Sequence, residues 1–150
     1  GGSSWIRFEL NAEQAWRAAL DLPHWTEMLP ATDSVTRVEG SGNDIVVRVH
    51  QAYMLVSATY HLRIRFEPNR RQLTFQLDPR EPRDIRAARG YLRIRPYEGG
   101  GSIVNWGIMV SVEENLLSGI ARPIIRSHLL KVPERMRTWA EGEGRALYTR

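Results

Sequence analysis

The sequence of 150 residues contains no cysteine, which excludes disulfide bonds, thiolate-bound zinc and catalysis by a thiol. Lys131 is its one lysine, so arginine supplies nearly all of the positive charge. No stretch approaches the ~18 consecutive apolar residues of a membrane-spanning helix. With this length and 42% hydrophobic residues, we expect a soluble domain with a substantial core.

The sequence also lacks the spacing patterns of common catalytic and cofactor sites. None of the four histidines stands in an H-x-x-x-H or H-E-x-x-H arrangement, and there is no G-x-S-x-G nucleophile motif. The glycine clusters at 40–42 and 99–101 match no phosphate-binding loop and are typical of hairpin turns. We therefore expect no metal site and no cofactor, and no residue is assigned a catalytic role.

The stretch from Glu114 to Glu141 is expected to form the element against which the rest of the chain packs. Its apolar residues recur every three or four positions, which is the spacing of one helical face. Pro123 and Pro133 each remove a backbone donor from this stretch. The pattern predicts a long amphipathic helix with kinks, or a break near Ser118-Gly119 with the helix beginning around Pro123. Its apolar stripe must pack against a sheet.

A strand and two short helices are predicted before that sheet. Residues 5–10 alternate between apolar and polar side chains, as a half-buried strand does. Asn11 and Gln14 have the spacing of a capping box, which predicts a helix that Pro23 ends. A second helical piece is predicted from His24 to Leu29. The inner face of the first helix is expected to comprise Ala15, Trp16, Ala19 and Leu20.

Antiparallel strands account for most of the chain between residues 34 and 112. Period-2 alternation predicts strands at 35–39, 45–50, 54–66, 72–77, 92–95 and 103–112. The strand at 54–66 has one apolar face and one polar face. Breaks are predicted at Gln51-Ala52 and over Asp78 to Arg89. The second of these segments is charged and rich in proline, so we expect a mobile loop.

Two segments resemble the START-like (SRPBCC) superfamily. These are W-x-x-A-L-D-L-P-H-W-T-E-M-L-P from Trp16 to Pro30 and D-I-R-A-A-R-G-Y-L-R-I-R-P from Asp84 to Pro96. That superfamily includes polyketide cyclases, coenzyme Q-binding proteins, ribosome-association toxins and plant allergens. The resemblance implies an α+β helix-grip fold, with two short helices after the first strand and a curved antiparallel sheet wrapped around a long C-terminal helix.

The domain is expected to extend from residue 5 to residue 142. Residues 1–4, Gly-Gly-Ser-Ser, are interpreted as a cloning remnant or a disordered start, and residues 143–150 as a frayed tail. A cytoplasmic location is expected, although such a start is also compatible with the removal of a signal peptide.

The resemblance implies a cavity for an apolar ligand between the sheet and the C-terminal helix. Binding and transport of a lipid, an isoprenoid quinone or a polyketide-like aromatic would follow, with Asp78 to Arg89 and Leu116 to Ile120 controlling access. The latter segment also forms an apolar tip suited to transient membrane contact. Each wall residue has ordinary core packing as its alternative role. The candidate ligand-binding residues are Trp25, Met28, Met54, Val56, Tyr60, Phe75, Trp106, Ile108, Ile120, Ile124 and His128.

Two alternative functions remain open. A cyclase or dehydratase needs an acid/base pair in the cavity, for which Tyr60 and His128 are the candidates. A protein-interaction module of the ribosome-toxin kind would use the arginines on the outer face of the sheet. Because no aromatic side chain interleaves with these arginines, we interpret that face as solvated and expect no nucleic-acid partner. The oligomeric state is left open. The outward arginines are Arg48, Arg63, Arg65, Arg93 and Arg95.

Overall fold

The computed structural model describes residues 1–53, 56–112 and 128–150. Within these ranges, seven strands form one antiparallel sheet in the order β1-β7-β6-β5-β4-β3-β2. The strands are β1 (Gly2–Phe8), β2 (Thr32–Ser41), β3 (Asp44–Tyr53), β4 (Val56–Glu67), β5 (Gln72–Asp78), β6 (Ile85–Pro96) and β7 (Ser102–Val112).

Short helices flank this sheet. A 3₁₀ turn (Leu22–His24) lies between the first two α-helices, and another (Pro68–Arg70) joins β4 to β5. The helices α1 and α2 connect one edge strand, β1, to the other edge strand, β2, and the C-terminal helices follow β7. The α-helices are α1 (Ala12–Leu20), α2 (Trp25–Met28), α3 (Val132–Glu141) and α4 (Arg145–Tyr148).

The predicted capping box opens α1. The backbone N–H of Gln14 donates to Oδ1 of Asn11 at 2.9 Å, and the Asn11 N–H donates to Oε1 of Gln14 at 3.0 Å. The prediction of Leu20 on the inner face is wrong, because this side chain is 44% exposed. The buried stripe runs through Ala15 and Ala19, and the helical angle places Leu20 at its edge.

Two of the predicted interruptions of the sheet differ from the structure. β3 continues through Gln51 without a break, because the Gln51 side chain has partners on neighbouring strands and its backbone pairs with Ala58 of β4. The predicted loop over Asp78 to Arg89 is also too long, since residues from Ile85 onward belong to β6. Ile85 is buried in the core, which explains why this part of the segment is ordered as a strand.

Within the described residues, the C-terminal helical region is interrupted at Lys131. Residues 128–130 are helical, Lys131 is a turn, and α3 starts at Val132 with Pro133 in its first turn. Proline is well tolerated there because the first N–H groups of a helix have no intrahelical acceptor. Pro133 therefore starts a helix instead of kinking one. The predictions concerning Pro123 and Ser118-Gly119 lie outside the described residues.

Both ends of the chain differ from the expectation. Gly2 to Ser4 lie in β1, paired with β7, and the Ser4 hydroxyl donates to the Leu130 carbonyl at 2.9 Å. At the other end, the predicted frayed tail contains α4, and Tyr148 is only 2% exposed. These contacts tie both terminal segments to the fold.

Candidate functional site

A cavity of about 190 Å³ lies between one face of the sheet and the helices α2 and α3. Its floor comes from strands β3 to β7, whose period-2 alternation directs apolar side chains to a single face. The residues before and within α3 cover the opposite side. The cavity therefore occupies the position that the sequence resemblance implies.

Most of the candidate binding residues line this cavity. Met54, Ile120 and Ile124, together with the side chain of Val56, lie outside the described residues. The candidates that line the cavity are Trp25, Met28, Tyr60, Phe75, Trp106, Ile108 and His128.

Several lining residues were absent from the candidate list. Some have a clear sequence signal, because they stand on the same period-2 faces as the candidates. Gln51 and Asp84 had no such signal, since they fall in segments predicted as a break and a loop. The additional residues include Val49, Gln51, Ala58, Leu62, Leu73, Asp84, Ile85, Ala88, Leu92, Val110, Leu129, Val132 and Met136.

The two tryptophans of the cavity wall donate their indole N–H groups to backbone carbonyls. The indole N–H of Trp25 donates to the Ala19 carbonyl at 3.0 Å, and that of Trp106 donates to the Leu129 carbonyl at 3.0 Å. The rings of Trp106 and Phe75 stack with 5.3 Å between their centroids. Since both indole N–H groups are satisfied, these side chains present apolar surface to the cavity.

A chain of hydrogen bonds crosses the polar part of the wall. The Tyr60 hydroxyl donates to Oε1 of Gln51 at 2.5 Å, and Nε2 of Gln51 donates to the Thr32 hydroxyl at 3.2 Å. The Thr32 hydroxyl in turn donates to the Pro30 carbonyl at 3.1 Å. Burial raises the pKa of Tyr60, so its phenol remains protonated at neutral pH. The Tyr60 oxygen and the second N–H of Gln51 can still take part in further hydrogen bonds.

The remaining titratable groups of the described wall are Asp84 and His128. The Asp84 carboxylate accepts the Thr59 N–H at 2.8 Å, and the Asp84 N–H donates to the Thr59 carbonyl at 3.1 Å. Asp84 is therefore held against β4. Among the described residues, there is no group of three or more His, Asp or Glu side chains that could hold a metal ion.

The segment between β5 and β6, which leads to Asp84, is anchored by a nearly buried carboxylate. Asp78 is 4% exposed and accepts hydrogen bonds from the Arg80 guanidinium at 2.8 Å and from Arg63 at 3.2 Å. Arg80 also forms an ion pair with Glu39 of β2 at 2.5 Å. The hydrogen bond from Arg80 lowers the pKa of Asp78 to about 2. The His61 side chain is also buried, and its Nδ1 lies 3.4 Å from the Pro82 carbonyl oxygen of the same segment.

This arrangement predicts an acid-sensitive contribution to stability. Because the pKa of Asp78 is lower in the folded chain than in the unfolded chain, its stabilising effect is present above about pH 4 and is lost as the pH falls towards about 2. Asp78→Asn is expected to lower the Tm at pH 7 by roughly 3–6 °C. The difference in Tm from the wild type should shrink below about pH 4.

Thermal unfolding followed by circular dichroism over this pH range tests the expectation. Glu81→Gln is the matched control, because Glu81 is an exposed carboxylate of the same segment, 3.6 Å from Arg83. It should change the Tm little at any pH. A Tm difference between Asp78→Asn and the wild type that stays constant below about pH 4 would contradict the assignment.

Comparison with known proteins identifies the family. The profile of the family described as polyketide cyclase / dehydrase and lipid transport matches residues 3–141. The chain belongs to this family. This match confirms the START-like resemblance. A search of the curated proteins finds no match.

Solved structures confirm the helix-grip fold of this family member. The Zhui aromatase/cyclase from Streptomyces sp. R1128 has a TM-score of 0.75 at 16% identity, over 97% of this chain and 96% of that chain. A START superfamily protein from Mycobacterium smegmatis gives 0.74 at 11% identity, over 93% and 96%. TTHA0849 from Thermus thermophilus gives 0.73 at 17% identity, over 89% of each chain. At these identities the similarity establishes the shared fold.

No helix in the described part of the chain is long and apolar enough to cross a bilayer. The predicted membrane-contact segment, Leu116 to Ile120, lies outside the described residues and stays a prediction.

Proposed function

We propose that this protein binds, and transports, a hydrophobic small molecule in the cavity between the sheet and the helices α2 and α3. The single observation that carries the proposal is the apolar wall, in which the indole N–H groups of Trp25 and Trp106 are already bonded to the backbone. Such a wall favours apolar surface over water. Lipids, isoprenoid quinones and polyketide-like aromatics are the ligand classes that match it.

Burial of apolar surface supplies the driving force for binding. Each Å² of ligand surface removed from water contributes roughly 25 cal/mol, before the cost of association is subtracted. Tyr60 and Gln51 add a polar position to an otherwise apolar wall. A ligand with one hydroxyl or carbonyl group could use this position to fix its orientation.

The cyclase or dehydratase alternative has less support. It needs a group that gives up or takes a proton beside the substrate. The Tyr60 proton is engaged by Gln51, burial raises the pKa of Tyr60, and the Asp84 carboxylate is bonded to the backbone of β4. His128, the other acid/base candidate, also lines the cavity, but its intended partner Tyr60 already donates its proton to Gln51. Binding is therefore the better supported function.

Filling the cavity tests the proposal directly. Ala88 of β6 lines the cavity and is buried, so Ala88→Phe would place a ring where the ligand lies. The probe is the neutral fluorophore N-phenylnaphthylamine, whose emission rises in apolar surroundings. Ala88→Phe is expected to weaken its binding roughly tenfold or more, equivalent to about 1.4 kcal/mol.

Ala87→Phe provides a matched control, because Ala87 is the neighbouring residue of the same strand and is exposed. It should bind the fluorophore as the wild type does. Thermal unfolding of both variants separates loss of the cavity from loss of the fold. Equal affinities of the wild type and a folded Ala88→Phe variant would overturn the proposal.

A further inference from the structure

A second concave site lies on the opposite face of the sheet. It is a groove of about 1130 Å³ that crosses strands β4 to β7. The groove is lined by arginines of β4 and β6, with amide and hydroxyl side chains of β5 and β7 among them. We call it the arginine groove. Its arginines are Arg63, Arg65, Arg89, Arg93 and Arg95.

Strand register places these arginines in two rows. Arg63 and Arg65 form the row on β4, and β6 carries the other. Because the rows are two strands apart, roughly 10 Å separates them. A neutral row on β5 lies between them, in which Thr74 pairs with both Arg65 and Tyr91. The groove thus carries positive charge along both sides.

The positive charge of the groove is only partly neutralised. Among the described residues, Asp44 is the one carboxylate that lines it. Arg63 shares Asp78 with Arg80, whereas Arg65 and Arg93 make no ion pair within the described residues. Unpaired guanidinium groups in a concave site attract anions, and arginine is well suited to phosphate.

Tyr91 forms an exposed aromatic surface within this groove. A Cβ atom added at Gly107 would lie 2.4 Å from Cε1 and 2.7 Å from Cζ of Tyr91, so the ring packs closely against the Gly107 backbone. The side chain is nonetheless 39% exposed. The ring therefore lies against the Gly107 backbone and keeps part of its surface exposed, with Arg89 and Arg93 two residues away on the same strand.

We propose that the arginine groove binds a single-stranded nucleic acid, with one base stacked on Tyr91 and the phosphates held by the arginine rows. Positively charged grooves with exposed aromatic rings are the usual means of binding single strands. Gln76 offers an amide group to the edge of a base. The Gln72 amide already donates to Glu67 at 3.1 Å, and the Asn105 side-chain oxygen accepts from Arg95 at 3.4 Å. An acidic protein surface would also match the charge, but an exposed aromatic ring among arginines, as at Tyr91, is the combination that single strands use.

This proposal departs from the sequence-based expectation that the arginine face is merely solvated. That expectation relied on the absence of aromatic residues among the arginines. In the fold, Tyr91 shares a face with Arg89, Arg93 and Arg95. Arg65 of β4 lies at the same level of the sheet as Tyr91, because both pair with Thr74. The predicted strand began at residue 92 and so left Tyr91 out, whereas β6 begins at Ile85 and places Tyr91 between Arg89 and Arg93 on the same face.

The test is fluorescence anisotropy with a labelled oligouridylate of about 12 nucleotides, within the ~4–16 nucleotides that single-strand sites cover. The logarithm of the affinity should fall with the logarithm of salt concentration, by a slope of roughly 0.7 for each phosphate contact. Tyr91→Ala should weaken binding roughly tenfold or more, and Tyr91→Phe should restore it. Arg93→Glu should weaken binding and reduce the salt slope.

Arg70→Glu is the matched control, because it makes the same charge change at an exposed arginine that does not line the groove. It should alter binding much less than Arg93→Glu does. Circular dichroism checks that every variant is folded. Poly-L-glutamate and vesicles containing phosphatidylglycerol serve as competing polyanions.

Undetectable binding of the oligouridylate by the wild type would overturn the proposal. The proposal would also be overturned if folded Tyr91→Ala bound the oligouridylate with unchanged affinity and poly-L-glutamate competed as well as unlabelled oligonucleotide did. That result would favour an acidic protein partner. The same result with the vesicles would favour an anionic membrane surface. None of these outcomes depends on whether the cavity on the other face binds a ligand.

Discussion

Replacing Tyr148 by alanine is expected to lower the free energy of unfolding by about 3–5 kcal/mol, the usual cost of deleting a large buried aromatic side chain. Tyr148 is 2% exposed. Its hydroxyl donates to Oδ2 of Asp21 at 2.6 Å and accepts the indole N–H of Trp139 at 3.0 Å. The substitution therefore removes apolar packing together with the hydrogen bonds that Tyr148 makes to Asp21 and Trp139.

Urea unfolding measures this loss. Leu147→Ala is the control, since Leu147 precedes Tyr148 and is 39% exposed. Tyr148→Phe keeps most of the packing and should cost about 1–2 kcal/mol. If Tyr148→Ala were no more destabilising than Leu147→Ala, the interpretation of residues 143–150 as a frayed tail would be restored.

Trp106→Ala is the second substitution with a large expected effect, again about 3–5 kcal/mol of unfolding free energy. It removes the ring that stacks on Phe75 and the hydrogen bond to the Leu129 carbonyl. Because Trp106 also lines the cavity, the substitution should enlarge it and change the affinity for N-phenylnaphthylamine. Urea unfolding and fluorescence titration measure the two effects separately.

Trp5→Ala makes the same chemical change on an adjacent strand. Trp5 is 68% exposed and pairs with Asn105, next to Trp106 in the sequence. Its replacement should cost less than about 0.5 kcal/mol, as surface substitutions usually do. Similar losses for Trp5→Ala and Trp106→Ala would contradict the assignment of Trp106 to the core and to the cavity wall.

The strand faces could be predicted because their pattern is local. Alternation along β4 and β5 identifies Tyr60 and Phe75 as inward residues, and both line the cavity. Capping is local too, since Asn11 and Gln14 are three residues apart. Patterns of this kind need no information from distant parts of the chain.

The errors arose where distant partners decide the structure. Gln51 was predicted to break the strand because a polar side chain interrupts the apolar alternation there. In the structure its side chain forms hydrogen bonds with Tyr60 and Thr32. Tyr148 looked like part of a tail because its acceptor, Asp21, lies 127 residues earlier in the chain. Asp84 was placed in a loop by its charged, proline-rich neighbours, although the backbone of Thr59 holds it beside the cavity. Local sequence patterns contain none of these contacts.

The pairing of β1 with β7 has a consequence for the order of folding. Ile6 pairs with Val104, a separation of 98 residues (104 minus 6), so β1 has no strand partner until β7 has been synthesised. β2 to β5 pair with strands close in sequence and can assemble earlier. Until β7 is available, the nascent chain exposes the unpaired groups of β1, and chaperones would act during this interval.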